Sequence, residues 1–215
     1  MANLNKGGWF TSAMEKSPKY QDYYDYVKPT LNGGYAYMGP VYTFGKDNDI
    51  SYARFITVML ICAALILFAG IGSGLLYVAA MNTPWQVAPY GLEVLFDCMT
   101  VWAVVRLAFT KQPMKIFNMR PTAEAIPKRS RLAMLAAAVG LTSIAVYVFL
   151  YGWDGRAVNT MIYMAARLVV ALSAGLIYKL ATVNVWDESR VNEGVPEDDG
   201  EESKEPKDQE EKEQA

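Results

Sequence analysis

The sequence has no histidine at all and only two cysteines in 215 residues. The first absence excludes imidazole-ligated haem, HExxH metalloprotease chemistry and Ser-His-Asp triads together. The cysteines, Cys62 and Cys98, have no metal-ligand spacing and both fall within apolar runs, so neither a metal site nor a disulfide framework is expected. Both read as small buried apolar residues. No nucleophile-base pair stands out, and the glycines at Gly70, Gly72 and Gly74 lie inside an apolar run rather than after a strand, which excludes a phosphate-binding loop. An enzyme is therefore not expected, nor a cofactor. The stretch before Arg54 lacks the short apolar core and cleavage site of a secretory signal, so the first apolar run is expected to act as an uncleaved insertion signal.

Charge is scarce in one place and crowded in others. Mean hydropathy is an unremarkable +0.09, yet it averages three unlike regions. Residues 1–54 are polar and tyrosine-rich, 55–183 are dominated by apolar runs, and 184–215 are almost wholly hydrophilic. Four stretches, 55–78, 85–109, 132–151 and 157–183, approach or exceed the ~20 apolar residues that cross a ~30 Å hydrocarbon layer. The sequence thus predicts an all-α membrane protein with four transmembrane helices arranged as two hairpins. A small mixed cytoplasmic N-terminal segment precedes them and a disordered acidic C-terminal tail follows.

Orientation follows from lysine and arginine. The turn around Asn82–Pro84 carries neither, and the turn before residue 157 carries only Arg156. The connection between the second and third runs carries Lys111, Lys115, Arg120, Lys128, Arg129 and Arg131. Both termini and this basic loop are expected on the cytoplasmic side of a bacterial-type inner (plasma) membrane, with two tight turns outside. Tyr77, Trp85, Tyr90, Tyr147, Tyr151 and Trp153 flank those outer turns, where amphipathic rings favour the interface. Each hairpin opens with a charge-free helix and closes on a basic-Leu-Ala triplet, an echo that coincidence between apolar segments accounts for better than duplication does.

At the N-terminus, Ser17 to Val27 reads as a short capped helix with Pro18 at its first position. Tyr35–Met38 and Val41–Phe44 read as two short strands around Gly39-Pro40. Eight of the 14 tyrosines precede residue 53; they suit packing against the membrane face, or docking a cytoplasmic partner. Acid and base are interleaved there without a basic stripe, which argues against nucleic acid. From Asp187 the chain carries 13 acidic and four basic residues, too polar to offset the entropy of ordering.

The second run also holds charge. Glu93 and Asp97 are four residues apart and project from one helical face. Counting ~1.5 Å per residue from Trp85 and from Ala157 places Glu93 at ~12 Å, Asp97 at ~18 Å and Arg167 on the fourth run at ~15 Å from the outer boundary. A lone charge at that depth costs about 2.5–3.5 kcal/mol on the mildest scale, so the three are expected to cluster, with Arg167 reached by either acid if the second and fourth helices pack together. One negative charge is left over, to be settled by water, a second subunit or a proton. Arg106, about half a turn off that face, is expected to reach the cytoplasmic boundary.

Two functions fit. The first is an accessory or assembly subunit of a membrane complex, in which Glu93, Asp97 and Arg167 form an internal clasp or hold a partner. The second is a small oligomeric proton- or cation-coupled transporter or channel using Glu93 and Asp97. The expected partners are the lipid bilayer and either a second copy or a larger membrane protein. Small residues at Gly70–Gly74, Ala136–Gly140 and Ala171–Gly175 permit close helix packing in both cases.

Overall fold

The computed structural model describes residues 26–29, 35–153, 155 and 157–190. Residues 40–189 form one compact unit, and residues 1–39 with 190–215 another. Within the described part of the latter, β1 (Val27–Pro29) pairs antiparallel with β2 (Tyr35–Tyr37), Val27 opposite Tyr37. Val27, expected to end a helix begun at Ser17, lies instead in β1; residues 17–25 of that helix, the tail beyond residue 190 and Arg156 lie outside the described residues.

The larger unit opens with β3 (Pro40–Phe44) and continues into α1 (Tyr52–Gly74). After a 3-10 turn at Ala79–Asn82 comes α2 (Pro84–Phe109), then β4 (Met114–Lys115) and the short α3 (Ile116–Met119). The long helices α4 (Ala125–Tyr151) and α5 (Ala157–Val183) follow, and β5 (Trp186–Arg190) ends the described chain. Three of these helices, α1, α4 and α5, are long and apolar enough to cross a membrane. α2 is of similar length, at 26 residues, but carries Glu93, Asp97 and Arg106.

Local sequence explains the helix ends. Pro84 takes the first position of α2, where its missing N–H costs nothing. Pro89 lies inside the helix and leaves the carbonyl of Trp85, four residues back, without its helical donor. The Ser143 hydroxyl on α4 donates to that carbonyl at 3.0 Å, so the break in one helix ties it to another. Pro127 falls in the first turn of α4, where proline is tolerated. Gly152 closes α4 with φ +77°, a conformation that side-chain-bearing residues rarely adopt.

Each long helix buries one narrow stripe. On α1 it is Phe55, Met59, Cys62, Ala63, Ile66, Gly70 and Ser73; on α4 it is Ile126, Ser130, Ala133, Ala137, Gly140 and Ile144. The contacts close a ring in which α1 touches α2 and α5, and α4 touches the same two helices. The outward faces stay apolar, with Phe68 80% and Phe149 88% exposed among many leucines and valines. Apolar surface on that scale does not suit water and does suit lipid. The interior is layered. A large apolar cluster containing Phe55, Met59, Ile66, Val104, Leu107 and Ile126 fills the end near the strands. A small one of Val78, Ala80, Ile144 and Tyr163 closes the opposite end.

A three-stranded sheet in the order β4-β3-β5 sits on the strand-bearing end of the bundle. Val41 faces Lys115 across the antiparallel β3–β4 pair, and the Gly45 N–H donates to the Val185 carbonyl at 3.0 Å. Phe44, Tyr52, Phe55 and Trp186 stack where sheet meets helix, with Phe44 and Phe55 centroids 4.9 Å apart.

Several expectations change here. The two N-terminal strands exist but do not pair with each other: one joins β1, the other a sheet assembled from three distant segments. The tail is ordered at its start, because the half-buried Trp186 ring packs on the aromatic cluster and holds the following residues as β5. α1 stops at Gly74 rather than Val78, and α4 begins at Ala125 rather than residue 132. Lys128, Arg129 and Arg131 thus stand on the first turns of a helix, which a hydropathy window cannot distinguish from loop. Cys98 is exposed on the outward face of α2, while Cys62 is buried.

Candidate functional site

Between the two apolar clusters lies a polar layer. The buried stripe of α2 reads Gln86, Glu93, Asp97 and Thr100, a spacing that keeps all four on one side of a 3.6-residue helix. The stripe of α5 reads Thr160, Tyr163, Arg167 and Val170. In the four-helix ring α2 and α5 stand diagonally opposite, not side by side as expected for their charges to meet. The long Arg167 side chain spans the diagonal, and its Nη1 forms an ion pair with Glu93 Oε1.

Arg167 is wholly buried and is held from three helices. Its Nη2 donates to Ser73 Oγ on α1 at 2.8 Å, and that hydroxyl in turn donates to the Gly70 carbonyl at 2.9 Å. The guanidinium carbon lies 4.7 Å from the Tyr90 ring centroid and 4.4 Å from that of Tyr163. A planar cation between two aromatic faces gains from each ring quadrupole, more so away from water. Tyr163 is itself fixed, because Gln86 Nε2 donates to its hydroxyl at 3.0 Å and lies 3.4 Å from the Gly140 carbonyl. All four long helices thereby enter one network.

Glycines make the approach possible. A β-carbon on Gly74 would overlap the Tyr90 hydroxyl, and one on Gly70 would sit 2.8 Å from Asp97 Oδ2. Asp97 is 3% exposed. Neither of its carboxyl oxygens has a hydrogen-bond partner among the described residues. Arg167 therefore engages one acid and leaves the other against the backbone of α1.

The six basic residues do not gather into a single site. Lys111 follows α2, Lys115 lies in β4, Arg120 ends α3, and the remaining three are on α4. Arg129 Nη1 donates to the Met99 carbonyl at 3.2 Å, while Lys111, Lys128 and Arg131 are exposed. Arg106 is exposed on α2. No cluster of three or more metal-capable side chains forms among the described residues.

Sequence reasoning found the three charges and missed their neighbours. Ser73, Gln86, Tyr90 and Tyr163 carried a faint signal: Tyr163 precedes Arg167 by four residues and Gln86 precedes Glu93 by seven, so each pair shares a face. A serine beside glycines and interfacial tyrosines has commoner explanations in an apolar helix. No family model, curated protein or solved structure matches this chain.

Proposed function

We propose that the chain is a four-span integral membrane protein without catalytic activity, an accessory or assembly subunit whose two helical hairpins are locked by an internal Glu93–Arg167 clasp. α2 is the remaining span, its charges turned inward and its outward face apolar. The exposed lysines and arginines gather toward the strand-bearing end, which supports placing that end and both termini in the cytoplasm. Exposed Trp85, Tyr151 and Trp153 at the other end suit an interfacial belt.

The observation that carries the reading is the enclosure of Arg167. An ion pathway needs its charge accessible to water or substrate, whereas this guanidinium is 0% exposed and packed against Glu93, Ser73 and the rings of Tyr90 and Tyr163. A buried pair of this kind specifies geometry more surely than it stabilises. The second reading, a proton- or cation-coupled oligomeric transporter, is favoured only by the unpartnered Asp97 carboxyl.

The test is isolation of the full chain from native membranes in a mild detergent, together with flux measurements in liposomes. The clasp reading expects elution with a larger membrane protein at fixed stoichiometry, and no pH-driven flux from the chain alone. Flux that disappears in Glu93→Gln and in Asp97→Asn would transfer the assignment to the transporter.

A further inference from the structure

Charge balance in the polar layer leaves Asp97 unexplained by a clasp. Arg167 and Glu93 cancel each other. The side chains facing Asp97 offer no second cation. On α2 the neighbouring titratable groups are Glu93 and Tyr90, and α5 presents only Arg167 and Tyr163. The buried stripes of α1 and α4 carry no Lys, Arg, Asp or Glu. Arg129 of α4 donates to the Met99 carbonyl of α2. An ionised carboxylate this deep, without a hydrogen-bond donor and sharing its one nearby cation with Glu93, is among the costliest groups a bundle can hold.

We infer that Asp97 is a proton-binding site: its carboxyl holds one proton inside the bundle and exchanges it with water through the end that carries the 3-10 turn. The step is the simple equilibrium in which the carboxylic acid O–H breaks, a proton passes to water and the carboxylate remains. The route follows the layering. Toward the strands, Asp97 is sealed by the large apolar cluster around Ile66, Val104 and Leu107. In the other direction lie Glu93, Arg167, Tyr163 and Gln86, closed off by the smaller cluster of Val78, Ala80, Ile144 and the Tyr163 ring with the half-buried side chains packed on it. Gly70 seats the carboxyl and leaves no space for a methyl group beside it.

Infrared spectroscopy of the full chain in detergent tests this without requiring any transport. Wild type at neutral pH is expected to show the carbonyl stretch of a protonated carboxylic acid, moving to lower wavenumber in D2O. Asp97→Asn removes that band, and Gly70→Ala shifts it by crowding the same oxygen, which preserves the test should the Asn variant fold poorly. Ile66→Ala and Ile144→Ala create equal deletions at the two ends. Deuterium uptake at the band should quicken several-fold more in Ile144→Ala. The inference is overturned by a wild type without the band, by a band that survives Asp97→Asn but vanishes in Glu93→Gln, by one indifferent to Gly70→Ala, or by faster uptake in Ile66→Ala.

Discussion

Replacing Arg167 by leucine should be the most damaging single change in the bundle, and the damage should shrink when Glu93 is neutralised with it. Removing one member of a buried pair costs about 3–5 kcal/mol, because the other is left charged and uncompensated. Here the loss would strand Glu93, which is fully buried, and leave Ser73 Oγ and two ring faces without their cation. Polar contacts in membranes are usually weaker, about 0.6 kcal/mol on average, since the unfolded chain also finds partners in the apolar phase. An ion pair enclosed by three helices belongs nearer the buried-pair range than that average, so Arg167→Leu is expected to cost about 3 kcal/mol, the low end of that range. Glu93→Gln with Arg167→Leu removes both charges and should cost only about 1 kcal/mol, the order of a lost buried hydrogen bond. The four species of the cycle can be compared by reversible unfolding in mixed micelles, followed by the fluorescence of the chain's five tryptophans. A coupling below about 0.5 kcal/mol, within the range of independent sites, would refute the clasp.

Gly74→Ala drives a β-carbon into the Tyr90 hydroxyl and should cost about 1–3 kcal/mol of overpacking, whereas Gly72→Ala, with nothing within 4 Å, should stay within about 0.5 kcal/mol; equal effects in the micelle assay would discount the Tyr90 contact. Trp186→Ala removes the ring that anchors β5 against Phe44 and Phe55. Its expected signature is faster proteolysis between residues 185 and 190 with the helices left intact. Cys98, exposed on α2, should react with an apolar maleimide in the folded protein, and buried Cys62 should react only after unfolding; labelling of Cys62 first would mean that the stripe of α1 is wrongly assigned.

How much of this was legible beforehand depends on the kind of signal. Apolar runs announce helices at any position: the run 157–183 coincides with α5, and the other three runs match α1, α4 and the charged α2 with shifted ends. Charges inside apolar runs announce themselves by their cost, and Glu93, Asp97 and Arg167 stand out on that ground. Pairing partners are another matter. That β3 would meet β4 and β5, segments beginning only at Met114 and Trp186, has no local signature in Tyr42 or Trp186. Nor does one sequence reveal whether Arg167 reaches a neighbour or crosses a diagonal, because that depends on the small residues, Gly70 and Gly140 among them, that set how closely the helices approach.

Those small residues also explain why a polar layer is needed. The buried stripe of α4 is largely Ala, Ile and Gly, and that of α1 is apolar as far as Gly70; an apolar stripe facing others in lipid has no hydrophobic gain to lose by sliding one turn. Polar contacts do penalise such a shift, because each displaced group is left unsatisfied where no water replaces the partner. Arg167 fixes α5 against α1 and α2, and the Pro89-freed carbonyl of Trp85, met by Ser143, fixes α4 against α2. These two devices index all four helices. Asp97 takes part in neither, so register alone does not account for its presence in the stripe. Neutralising it should leave the helix register intact while removing the proton, a separation of effects that the Glu93 and Arg167 variants do not share.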